Sequence, residues 1–289
     1  SKTYNTDSQT PDSAGTMTAM ITGAKTRMGF LSVNQIPDRG DCAASLKNPL
    51  ISAVTLAELA GLATGVVTTT RITHATPAAT YAHSPERNWE SDADMPDTAK
   101  QQGCKDIAQQ LIEYSAGNGL EVVMGGGLNK FLPKGSYPNY NNTKGSRADG
   151  RNLIAEWTTK NPSATFVSTG SQLAKINIAD TKKIYGLFNG DHLNFDYDRV
   201  TEKLDEPSLA DMTKTAINLL SKNKKGYLLV VEGGRIDHAH HGGNAFRALT
   251  DTVAFSDAIA MANTMTSDKD TLIIVTADHS HTMSFVGYP

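Results

Sequence analysis

Six short stretches of the chain are dominated by apolar or β-branched residues, at 65–70, 121–124, 165–168, 183–188, 227–231 and 271–276. Runs of this length, bounded by glycine and polar residues, read as strands buried on both faces. Between them apolar positions recur at helical spacing, most clearly over 97–114, 208–221 and 245–265. Small and apolar residues over 16–23 read as a tightly packed helix. Strand and helix alternating at this spacing predict an α/β fold, a mostly parallel central sheet with helices on both faces. Gly125-Gly126-Gly127 and Gly233-Gly234 mark sharp corners after strands, and the polar segment 133–151 reads as an exposed excursion.

Composition narrows the class. With 289 residues, 39% hydrophobic and 20% charged, the chain suits one large globular domain. A net charge of −3 argues against non-specific binding to nucleic acid or a membrane surface. No apolar run approaches the roughly 20 residues of a spanning helix. The opening residues Ser1-Lys2-Thr3-Tyr4 show no leader pattern. The two cysteines, Cys42 and Cys104, are either buried free thiols or a bridge. A bridge closing about 60 residues would contribute roughly 4 kcal/mol in the chain-entropy model, and sequence alone leaves both readings open.

The chemistry concentrates in two windows. Five of the eight histidines lie in Glu232-Gly233-Gly234-Arg235-Ile236-Asp237-His238-Ala239-His240-His241 and Asp278-His279-Ser280-His281, each directly after an apolar run. Imidazole and carboxylate ligands suit zinc, with a hard carboxylate available for magnesium. Asp237 and His241 are four apart and share one face of a helical turn; the bland alternative is a solvated histidine-rich helix start. Asp278 and His279 point apart on a regular strand, so they share an ion only where the strand gives way to a loop. In open α/β sheets ligands gather beyond the carboxyl ends of strands, where both windows fall. Ser13 precedes the small-residue helix. Such a serine is ordinarily an N-cap, but a nearby cation and the helix N-terminus would suit it to phosphate chemistry. Arg87 reads either as a surface charge or as a bidentate fork for phosphoryl oxygens.

Together, Asp12-Ser13-Ala14, His74-Ala75-Thr76-Pro77-Ala78, Arg87-Asn88-Trp89 and the two histidine windows resemble the motifs of the alkaline phosphatase family. They occur in family order over nearly the whole chain. The resemblance implies hydrolysis of small-molecule phosphate monoesters through a phosphoserine at Ser13, with Arg87 gripping the phosphoryl group and Asp12 beside it. It implies two zinc ions, one on Asp237 and His241 and one on Asp278 and His279, and one magnesium on Thr76 and Glu232. His74, His238 and His281 would orient ligands and waters. By the same resemblance Cys42 and Cys104 form a disulfide, the location is periplasmic or extracellular, and the assembly is a homodimer.

The resemblance also implies a single catalytic domain truncated at both ends. The family's Ile-Gly-Asp-Gly strand end before the serine, and a further zinc-binding histidine beyond Tyr288-Pro289, have no counterpart here. Asn189 stands where part of the family carries a calcium-site carboxylate. Alternatives are a sulfatase or phosphodiesterase of the same superfamily, which usually place Thr or a modified Cys/Ser at the nucleophile, or a non-catalytic metal- or phosphate-binding remnant. Asn141-Asn142-Thr143 is a sequon.

Overall fold

The computed structural model describes residues 3–140 and 142–284; Ser1-Lys2, the sequon's Asn141 and Tyr288-Pro289 lie outside the described residues. Among the described residues there are seven strands: β1 Ala63–Arg71, β2 Val122–Gly126, β3 Gly135–Tyr137, β4 Thr143–Gly145, β5 Ala164–Val167, β6 Lys183–Leu187 and β7 Tyr227–Glu232. Five of them form one sheet in the order β5-β6-β2-β1-β7, with every pairing parallel. These match five of the six expected strands to within two residues at either end.

Side-chain alternation explains why both faces are covered. Val66, Val123 and Tyr185 point into one apolar cluster, where they meet Met17, Val54, Leu111 and Trp157 from four helices. Their neighbours Val67, Val122 and Ile184 point the other way, against Leu209, Met212, Leu220 and Ala258. The indole of Trp157 stacks on Tyr185 with centroids 3.8 Å apart. The chain moves outward from β1 through β2 to β5 at the far edge, comes back one place to β6, then crosses to place β7 on the other side of β1. That reversal puts the topological switch point at the carboxyl ends of β1 and β7.

Helices Leu209–Leu220 and Ala245–Met265 form where periodicity placed them, the first behind a reciprocal Ser208–Asp211 capping box. The expected helix over 97–114 is instead two, Asp97–Gln101 and Ile107–Glu113. Gly103 adopts a left-handed φ of 93° after the first. The Asp106 side chain then caps the second by accepting from the Gln109 amide. Between them Cys104 is bonded to Cys42, 62 positions away.

Two expectations need correction. The run 271–276 forms no strand: Leu272 is 83% exposed and Ile274 76% exposed. A cavity of about 1220 Å³ separates this run from β7. A strand requires a partner at about 4.8 Å, so apolar composition without a neighbour does not make one. The excursion 133–151 is not wholly exposed either. It carries the β3–β4 hairpin and returns through Arg147, which is completely buried and paired with Asp106 at 2.9 Å and Asp149 at 2.6 Å. Among the described residues no helix is long and apolar enough to cross a membrane.

The Arg147 pairing fixes a large energetic term. Its guanidinium donates twice to Asp106, whose own burial pushes its carboxyl pKa upward. Arg147→Ala would leave that carboxylate buried and uncompensated, so a loss of about 3–5 kcal/mol is expected in urea unfolding.

Candidate functional site

Three carboxyl-end turns and two flanking segments converge. β1 runs through Arg71 to His74 and Thr76, β6 to Asp191 and His192, and β7 to Glu232 and Asp237, while Ser13 and Asp278 approach from the flanks. Ser13 is the first residue of helix Ser13–Thr22, and Asp12 takes the N-cap position. The serine is therefore free of capping duty, and its Oγ lies 3.3 Å from His279 Nε2. One turn later Thr16 donates to Asp278 Oδ2 at 2.9 Å. His279 Nε2 is also 3.3 Å from that same Asp278 oxygen. The adjacent pair thus faces one way, as expected only of residues beyond the regular strand.

Asp237 and His241 lie on helix Arg235–His241 with Oδ2 and Nε2 3.5 Å apart. His281 brings its Nε2 to 3.2 Å from Asp237 Oδ1, although that buried oxygen has no partner in hydrogen-bond geometry. The rings of His279 and His281 are 6.3 Å apart, which makes the Ser13 and Asp237 groups contiguous.

Glu232 occupies the switch point itself. Parallel register sets it opposite Thr68, whose hydroxyl donates to Oε2 at 2.5 Å while that of Thr70 donates at 3.2 Å. Thr76 also hydrogen-bonds this carboxylate, and Asp278 is close enough to act on it electrostatically. The corner that follows requires glycine: a Cβ on Gly234 would stand 2.3 Å from Thr70 Cγ2.

Asp12 accepts from the Gly29 amide at 2.6 Å and is ion-paired with Arg87, whose other Nη sits 3.0 Å from His74 Nε2. All the candidate residues thus gather at one sheet edge, and the three carboxylates of Glu232, Asp237 and Asp278 are not scattered.

Sequence reasoning missed His192. It joins His74 and His238 in a trio of edge-on rings with centroids 4.3–5.2 Å apart. Burial first, and then neighbouring arginines, push His74 far down, His192 to about 2 and His238 to about 4, so all three are neutral at pH 7. Each offers a ring nitrogen to a guanidinium, from Arg87, Arg71 and Arg235 respectively. The trio therefore serves as acceptors that hold arginines. The available signal was the position of His192 just past a predicted strand end.

The donor sets fit metal ions. Asp237, His241 and His281 present ligand atoms that all lie within 4.8 Å of one another. Glu232 among three hydroxyls is an oxygen-only cradle suited to a hard cation.

Comparison with known proteins finds one family along the whole chain. A family model described as alkaline phosphatase matches residues 1–289. The tissue-nonspecific alkaline phosphatase isozyme of Rattus norvegicus is 43% identical over 295 residues, covering 100% of this chain and 56% of the relative. The chain thus spans a little over half the relative's length. The crystal structure of the Thermus thermophilus alkaline phosphatase superposes with a TM-score of 0.72 at 31% identity, over 93% of this chain and 47% of that one. A variant of the alkaline phosphatase from the Antarctic bacterium TAB5, described with magnesium bound in its M3 site, superposes with a TM-score of 0.64 at 27% identity, over 90% of this chain and 61% of that one.

Burial pushes the Glu232 carboxyl up to about 7, against the pull of the Thr68, Thr76 and Thr70 hydroxyls. Between about 4.5, where the unfolded chain releases this proton, and 7, the native state alone retains it. Stability of the metal-free protein should therefore fall as pH rises through that window, by on the order of 3 kcal/mol from this group. Glu232→Gln should remove that component, and the difference between the two pH–stability curves in urea unfolding measures it. Overlapping curves would contradict the assignment.

Proposed function

Because the chain belongs to the alkaline phosphatase family, we propose that its site hydrolyses phosphate monoesters through a covalent phosphoserine on Ser13. The observation that carries this reading is Ser13 Oγ held 3.3 Å from His279 Nε2, with Asp278 alongside. A serine used only to cap a helix would not face a histidine and a carboxylate from the far end of the chain.

Asp237 and His241 would hold one zinc, Asp278 and His279 a second, and Glu232 with Thr76 a magnesium; the family and the magnesium described in the TAB5 variant support this choice. Bound there, the ions would supply the positive charge that lowers the pKa of coordinated oxygens and neutralises the developing charge on phosphorus-bound oxygens.

This chain's own residues do the rest. The first step forms a bond from Ser13 Oγ to phosphorus and breaks the ester bond, releasing the alcohol. Water then cleaves the phosphoserine, freeing inorganic phosphate and restoring the hydroxyl. Arg87 presents a planar fork to two phosphoryl oxygens, and its pairing with Asp12 and His74 fixes the fork before substrate arrives. His238 keeps a neutral ring against Arg235, which limits cationic crowding beside the zinc ligands. Phosphoryl transfer depends on such positioning and charge neutralisation more than on further covalent help. The Cys42–Cys104 disulfide supports a periplasmic or extracellular setting. A homodimer and a single catalytic domain complete the proposal.

With zinc and magnesium supplied, p-nitrophenyl phosphate should be cleaved and a phosphoserine should be trappable by acid quench. Ser13→Ala is expected to abolish the trapped phosphoenzyme and to lower turnover by orders of magnitude; undiminished turnover would remove Ser13 from the reaction. Arg87→Lys keeps the charge but loses the fork, so phosphate inhibition should weaken by about 1.5–3 kcal/mol, roughly 10- to 100-fold in Ki.

A further inference from the structure

A neutral imidazole has one lone pair, and each ring of the His74, His192 and His238 trio gives it to an N–H of an arginine. Arg87 Nη2 lies 3.0 Å from His74 Nε2, the Arg71 amide donates to His192 Nδ1 at 2.9 Å, and Arg235 Nη1 lies 2.9 Å from His238 Nδ1. Guanidinium and amide nitrogens donate and never accept, so the proton of each ring falls on its other nitrogen. We propose that these three ring N–H groups, with Arg71 Nη1, form a second oxyanion site beside Arg87. Its ligand is the carboxylate or phosphoryl group that a phosphate monoester carries on its alcohol. The site rests on the phosphoryl grip assigned to Arg87 above and names the class of substrate it would favour.

Three observations carry it. His74 Nδ1 is buried and has no hydrogen-bond partner, so one of these donors has nothing to receive its proton. His192 Nε2 sits 2.8 Å from Arg71 Nη1, which sets donor against donor unless an acceptor takes both. The acceptor at hand is Asp191 Oδ1, 2.6 Å from Nη1 but 3.9 Å from Nε2. The third observation is proximity. One nitrogen from each ring lies within 4.8 Å of the other two, and all three residues are half-buried.

The chemistry disfavours a cation and suits an oxyanion. A metal needs imidazole lone pairs, and here those pairs already face two guanidinium groups and a backbone N–H. An oxyanion accepts several N–H bonds at once and gains from the neighbouring guanidinium charge. Asp191 is 67% exposed and free to swing outward, while Glu90 keeps Arg71 in place through Nε and Nη2. The Asp191 carboxylate thus stands in for the group a substrate would bring. His74 links this site to the phosphoryl grip, because its Nε2 is the atom that holds Arg87. A second oxyanion on the substrate meets the trio while Arg87 holds the first, and the tether raises its effective concentration.

Two phosphonates test this by calorimetric titration of the whole chain supplied with zinc and magnesium. Phosphonoacetate carries a carboxylate that ethylphosphonate lacks, and neither has an ester bond to hydrolyse. Phosphonoacetate should bind roughly 10- to 100-fold more tightly, the range for hydrogen bonds to a charged group. His192→Leu should bring the two ligands close to parity. Asp191→Asn removes the competing carboxylate and should widen the gap several-fold. Equal affinities in the unaltered chain would overturn the site. A gap that survives His192→Leu in the folded protein would place the carboxylate on the metals instead and overturn it too. So would a gap left unmoved by Asp191→Asn, an exposed position that decides the matter if the leucine chain folds badly. Sulfate bound alongside ethylphosphonate, with no advantage for phosphonoacetate, would mean that the donors take a free anion and would overturn the substrate assignment. Neither ligand is cleaved, so a trapped phosphoserine together with equal phosphonate affinities would leave the phosphoserine reading intact. Binding of neither phosphonate would overturn the site and the Arg87 grip together.

Discussion

The register of two parallel strands governs this site. β1 and β7 pair so that Thr68 stands opposite Glu232, which places a carboxylate at the last rung of the ladder, beneath the turn that carries Asp237. Burying a carboxylate is costly unless hydroxyls or a cation compensate it. Three threonine hydroxyls do so in part, and the remaining upward pull on its pKa shows that compensation is incomplete. A one-residue slip would send Glu232 to the opposite face and carry the histidine helix with it.

Around that carboxylate the electrostatics are divided by element. Oxygen donors belong to β1 and β7, imidazole and carboxylate pairs to the turns at 237–241 and 278–281, and arginines to the rim. Arg71 is clamped by Glu90 through two hydrogen bonds and by Asp191, while Arg87 leans on Asp12. Each arginine also touches a neutral histidine, so the rim holds cationic groups in place without adding further charge. The arrangement suits an anionic ligand that must approach bound cations.

Much of this was legible in the sequence because its signals are local. Five strands announced themselves by β-branched runs, and the metal-ligating types clustered in two windows, one at the end of β7 and one after the apolar run 271–276. What escaped depended on long-range context. The 97–114 periodicity hid a break set by Gly103, by the Asp106 cap and by a disulfide partner 62 residues away. Arg147 looked like one polar residue among many in 133–151, and only its meeting with Asp106 buries it. The 271–276 run had the composition of a strand, but strand formation is a property of pairs. His192 carried no motif of its own and acquires meaning only beside His74 and His238.

The outer edge of β7 and the exposed residues Leu272, Ile273, Ile274 and Val275 present open backbone groups next to apolar side chains. Such a surface is an adhesive template for foreign strands. Recovery of monomer from denaturant becomes a race between intramolecular docking and self-association. Because encounters between molecules scale with concentration and chain closure does not, dilution favours the soluble product.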